Sequence, residues 1–102
     1  MNSASEIIQD IIKRVTYVEV YFDDKSIFRY PAKVSRGRNG KIIIKFTLQH
    51  TGLLIGTRVF MDGDDRVGTG NIIAEDHYVR PIQDGDSVQY TINTVLNYNF
   101  IK

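Results

Sequence analysis

The chain has no cysteine and no tryptophan, only two histidines, and a formal net charge of only +1 over its 102 residues. Without cysteine there is no disulfide framework, no thiolate zinc site and no thiol nucleophile. Long apolar runs are missing as well: nothing approaches the ~18 residues of a membrane-spanning helix, and no membrane partner is expected. The opening MNSASEIIQDIIKRV does not follow the order of a secretory leader, in which positive charge precedes an unbroken apolar stretch. Here Lys13 and Arg14 come after the isoleucines, and Glu6, Gln9 and Asp10 interrupt them. A cytoplasmic protein is the expectation.

Catalytic signatures are equally sparse. His50 and His77 each stand near a turn without a second ligand at metal-site spacing, and in a strand Asp76 and His77 leave opposite faces. No Gly-x-Ser-x-Gly or His-Glu-x-x-His element occurs. The acidic Asp62-Gly63-Asp64-Asp65 fails as an EF-hand loop, because Arg66, Val67 and Ile73 fall where a ligand, the glycine and the final glutamate belong. No metal, cofactor or enzymatic activity is expected; Glu75, Asp76, Asp84 and Asp86 read as turn and capping carboxylates.

What is present suits one globular domain over residues 1–102. Hydrophobic residues make up 42% of the chain and charged residues 25%, enough for a core and too few charges for a disordered chain. In the first segment Ile7, Ile8, Ile11, Ile12 and Val15 form one stripe at helical period. Ser3 and Glu6 have the spacing of a capping box, and Lys13 and Arg14 lie where a helix dipole favours cations. The expectation is a helix over residues 4 to 14, within an N-terminal unit 1–15 that either covers the β core or serves as an interaction element.

From residue 16 the period changes to two. Val18, Val20 and Phe22 alternate with Tyr17, Glu19 and Tyr21. A second strand spans Ile27 to Tyr30 and ends at Pro31. Arg38-Asn39-Gly40-Lys41 signals a hairpin, since Asn-Gly tolerates the positive φ angles of a type I′ turn. Ile42, Ile44, Phe46 and Leu48 then share one face of a strand. Further strands are expected at about 53–61, 67–74, 87–92 and 95–101, with turns at 61–66 and 81–86. Six or seven short strands so spaced indicate an all-β fold. A small closed barrel of Greek-key type over residues 16–102 is expected, because closure removes exposed sheet edges.

The stretch GTRVFMDGDDRVGTGNII, residues 56 to 73, resembles the last hairpin of the C-terminal β-barrel of elongation factor Tu. Arg58, Phe60, Gly63, Arg66, Val67, Gly68 and Gly70 carry the pattern if one residue is omitted near the turn, and TYVEVYF resembles that family's opening strand. The resemblance covers about half the chain and implies a small stand-alone bacterial barrel. The family's Gly-Gly-Arg and Gly-Tyr-Arg-Pro segment is absent, and 29 residues follow Ile73 where the family ends. Its tRNA-contacting basic turn is replaced by Asp62-Gly63-Asp64-Asp65-Arg66, and carboxylates there repel phosphate. Neither the tRNA role nor GTP hydrolysis is carried over.

Net charge hides a segregation. Residues 1–51 sum to +4 and residues 52–102 to −3. Arg29, Lys33, Arg36, Arg38, Lys41 and Lys45 lie in a 17-residue stretch without a single acid, with Phe28 and Tyr30 beside them as stacking surfaces. This layout points to a binding module, monomeric or homodimeric, whose partner is a protein with an acidic surface. The alternatives are RNA held by the basic hairpin, a small hydrolase or ligand-binding barrel, and a solvated edge hairpin kept from aggregating by its charges.

Overall fold

The computed structural model describes residues 4–93. Along the chain these form α1 (Ala4–Arg14), β1 (Val15–Phe22), β2 (Ile27–Pro31), β3 (Lys33–Arg36), β4 (Lys41–Thr47), β5 (Gly52–Met61), β6 (Asn71–Asp76), β7 (Arg80–Ile82) and β8 (Ser87–Asn93). All pairings are antiparallel. One sheet runs β2-β1-β5-β6, with β7 also on β5; the other runs β3-β4-β8. The expected strand at 95–101 lies outside the described residues.

The helix occupies the span its periodicity sets, and it enters β1 without a loop. Ile8 and Ile11 are 1% exposed and Val15 is buried, while Ile7 and Ile12 pack against the same cluster. The stripe is therefore core, turned toward β3 and β4. From the strands come Val18, Val20, Phe22, Ile42, Ile44, Phe46, Leu54, Val59 and Met61. One core lies between helix and sheets, as a domain of this length requires.

Three boundaries depart from the sequence reading. The second strand ends at Pro31 as read, proline having no N–H to donate, but after Ala32 the chain passes into the other sheet as β3, a strand the sequence reading did not include. The strand expected from Val67 begins only at Asn71, because residues 62–70 fold into a compact loop around Asp64. The Asp64 carbonyl accepts the N–H groups of Val67, Gly68 and Thr69 at 2.9–3.3 Å. Pro81 and Ile82, expected to open a turn, join Arg80 in β7, which pairs with the first half of β5. Among the described residues there are eight strands in two sheets, against six or seven expected over the whole chain, and no ladder joins the two sheets, so a closed Greek-key barrel is not found there. Among the same residues no helix is long and apolar enough to cross a membrane.

Arg14 ties the helix end to the 62–70 loop. Its guanidinium donates to both oxygens of Asp62 and, at 3.1 Å, to Asp10, and the Asp62 N–H donates to the Arg14 carbonyl at 3.0 Å. The guanidinium holds the Asp62 carboxyl below its usual value of 3.8. A carboxyl with a depressed folded-state pKa adds stability above its unfolded value and loses that stability as the pH falls. Asp62→Asn is expected to cost about 0.5–1 kcal/mol at pH 7, the range for a solvent-screened pair. The gap between variant and parent should close in thermal melts taken progressively below pH 3.8. A gap that persists in acid would show that Asp62 acts by something other than its charge.

Candidate binding face

The two sheets treat charge in opposite ways. On the outer face of the larger sheet, register sets Arg29 opposite Glu19, Glu19 opposite Arg58, and Arg58 opposite Glu75. This row of alternating sign crosses β2, β1, β5 and β6. Arg29 Nε donates to Glu19 at 3.0 Å and Arg58 Nε to Glu75 at 3.0 Å. Glu19, only 9% exposed, also accepts the Tyr21 hydroxyl proton. Burial and this bond to Glu19 push the Tyr21 phenol up to about 12. Arg58 lies 5.2 Å over the Tyr21 ring. Opposite charges placed directly across strands stabilise a sheet by a few tenths of a kcal/mol to about 1 kcal/mol per pair, and here each charge already has its partner.

The smaller sheet is built differently. None of β3, β4 and β8 contains an aspartate or glutamate. Its outer positions include exposed Lys33, Ser35, Lys41, Lys45, Thr47, Ser87, Gln89 and Thr91. Among the described residues Lys33, Arg38, Lys41 and Lys45 make no ion pair. Asp86, just before β8, turns its carboxylate back to the Gln83 N–H at 2.9 Å. The hairpin between β3 and β4 forms where Asn-Gly signals it. Asn39 and Gly40 have φ of 57° and 74°, and the Lys41 N–H donates to the Arg38 carbonyl at 3.2 Å. This turn raises Arg38 at the tip, while the strand period puts Lys41 and Lys45 on the side opposite buried Ile42, Ile44 and Phe46.

Of the basic cluster read from the sequence, Lys33, Arg36, Arg38, Lys41 and Lys45 belong to this hairpin. Arg29 does not: it lies on the other sheet, bound to Glu19. Tyr30 is no stacking platform either. It is 8% exposed, and its hydroxyl oxygen accepts the Gln49 N–H at 3.3 Å. Its ring lies 6.3 Å from the half-buried Phe28 ring in a stacked arrangement.

The hairpin segment read as family-like is built around close backbone contacts. Arg66 sits at the loop surface and donates to Asp64, which holds the Asp64 carboxyl down at about 2. Gly68 lies so near the Arg29 guanidinium that a Cβ there would stand 2.5 Å from Nη2. Gly70, at φ 123°, passes against Gly63. Arg58, Arg66, Gly68 and Gly70 therefore organise the larger sheet and its loop and do not join the basic hairpin.

Two concavities flank these faces. One, of about 220 Å³, is lined by Tyr21, Arg58, Glu75 and His77 among others, and its charged walls pair with one another. The second, of about 300 Å³, lies at the base of the basic hairpin, where β2 gives way to β3; Tyr30, Lys33, Lys45, Thr47, Gln49 and Ser87 line it. Thr47, Gln49 and Ser87 were not singled out from the sequence. The available signal was that Thr47 follows Lys45 by two residues and so shares its face.

Neither histidine lines the groove at the base of the hairpin. His50 packs 4.6 Å from the Phe22 and Phe28 rings and 3.9 Å from Asp24, and His77 lies 3.8 Å from Glu75. Among the described residues no three His, Asp or Glu side chains converge as a metal site. Protein-family models, curated proteins and solved structures give no match to this chain, and nothing in them links it to elongation factor Tu.

Proposed function

We propose that this chain is a non-enzymatic protein-interaction module, working in the cytoplasm, that docks an acidic partner on the basic face of the β3-β4-β8 sheet. One observation carries the reading: the larger sheet pairs Arg29 and Arg58 with glutamates across its strands, whereas among the described residues Lys33, Arg38, Lys41 and Lys45 of the β3-β4 hairpin make no ion pair. Like charges gathered without compensation cost stability, and a complementary surface removes that cost while steering encounter.

RNA is the second reading, and the geometry favours it less. Sequence-tolerant RNA binding draws on exposed aromatic platforms, and Tyr30, one of the two aromatics beside the cluster, is buried. With Arg29 committed to Glu19, Lys33, Arg38, Lys41 and Lys45 are the hairpin cations counted toward phosphates. Single-stranded RNA held by these four would bind with a log K against log salt slope of about −3.

The two readings separate in affinity capture from lysate with and without nuclease. The parent chain is expected to retain a protein partner through nuclease treatment. Charge reversal at Lys33, Lys41 and Lys45 together should lower that retention at least about tenfold. Capture that disappears with nuclease would transfer the hairpin to RNA. A reversal variant that retains the partner as the parent does would remove this face from the interaction.

A further inference from the structure

The groove at the base of the hairpin has a composition that the rest of the basic face lacks. Lys33 on β3 and Lys45 on β4 are directly opposed in register, which brings their Cβ atoms to about 5 Å. Both side chains line the same 300 Å³ groove. Thr47 and Ser87, opposed in register on β4 and β8, add two hydroxyls to its wall, and Gln49 adds an amide. Tyr30 also lines it. That hydroxyl already accepts the Gln49 N–H, so its own proton remains to be donated. Two ammonium groups and several neutral donors face one small space, and among the described residues no carboxylate lines it.

We propose that this groove binds a phosphomonoester, the dianionic phosphoryl group of a phosphorylated side chain on the acidic partner. The inference rests on the docking face proposed above and names what that face selects. Charge decides between oxyanions: two opposed ammonium groups match a group that carries close to two negative charges at neutral pH, whereas a carboxylate or a nucleic-acid phosphodiester supplies one. Hydrogen bonding points the same way, because three terminal phosphoryl oxygens use the hydroxyl and amide donors that a carboxylate leaves unfilled. Lys41 shares the outer face but lies outside the groove, so it contributes general attraction without contacting the phosphoryl group.

The test is titration of the full chain with an Asp/Glu-rich peptide carrying one phosphoserine, with the same peptide unphosphorylated, and with a single-stranded RNA oligonucleotide. The readout is amide and side-chain NMR shifts at matched ionic strength. The phosphopeptide is expected to bind about tenfold or more tightly than its unphosphorylated form, with shifts centred on Lys33, Lys45, Thr47 and Ser87. Lys33→Gln and Lys45→Gln should each abolish most of that preference. Lys41→Gln should weaken both peptides equally and leave the ratio intact. Exposed lysines tolerate such changes without loss of fold, and each variant's melt verifies this.

Equal binding of the two peptides overturns the phosphoryl site while leaving the acidic-partner reading standing. Binding of neither peptide removes both. RNA that binds more tightly than the phosphopeptide, and loses affinity in Lys45→Gln, assigns the groove to phosphodiesters and overturns the proposal.

Discussion

Replacing Ile8 and Ile11 together by alanine is expected to abolish cooperative folding at room temperature. Both side chains are 1% exposed and belong to the central cluster with Val18, Ile44 and Val59. Truncating a fully buried isoleucine costs about 2–5 kcal/mol, part from lost transfer and part from the cavity left behind. Two such losses on adjacent turns of one helix approach the 5–15 kcal/mol that stabilises a whole domain. Urea titration followed by circular dichroism should show each single variant with a lower midpoint and the double variant with no cooperative transition. Deleting residues 1 to 14 should have the same outcome. If the double variant instead melts like the parent, the isoleucine stripe is a docking surface for another chain, and the packing of α1 against β3 and β4 contributes little.

Gly63→Ala should be nearly as damaging, from the opposite side of the larger sheet. A Cβ at Gly63 would stand 1.9 Å from the Thr69 carbonyl oxygen and 2.7 Å from the Gly70 Cα. Both obstacles are backbone, so no side chain can rotate away, and the 62–70 loop must open. That loop supplies the Thr69 carbonyl that accepts the Tyr17 hydroxyl at 2.7 Å. Tyr17 is fully buried, stacked 4.6 Å from Phe60, and a buried hydroxyl without an acceptor costs about 1–3 kcal/mol. With the strain added, a loss of about 3 kcal/mol is expected, which lowers the melting temperature of a chain this size by more than about 10 °C. Gly40→Ala is the control. Its site has open space and a φ of 74°, so only the left-handed backbone term of about 1–2 kcal/mol applies. Similar losses at the two glycines would mean that the loop accommodates a methyl group and that the crossing does not hold Tyr17 in place.

Both expectations show where local pattern carried information and where it stopped. The helix, β1, β4 and the Asn39-Gly40 turn were legible because their signals are local: a period of 3.6, a period of two, and a dipeptide that tolerates positive φ. The late start of β6 was not legible. Val67 reads as a strand residue, yet contacts from Gly63 and Gly70 across the loop, together with the Asp64 carbonyl's three bonds, keep residues 62–70 out of the ladder. β7 was hidden for a related reason. Its three residues contain Pro81 and become a strand only because β5 is long enough to pair along two segments.

The sequence by itself determined a β-rich domain with one amphipathic N-terminal helix and a cluster of cations on one hairpin, since these follow from periodicity, turn chemistry and composition. Which cations have partners was decided only by tertiary structure. Arg29 stands four residues from Lys33, but the passage from one sheet to the other at Pro31 and Ala32 places it opposite Glu19, ten residues away along the chain. Charge neutralisation in a β protein depends on cross-strand register, which brings together residues far apart in sequence. The same register sets Lys33 against Lys45 and Thr47 against Ser87, and so brings β3, β4 and β8 to the groove, which Tyr30 of β2 also lines.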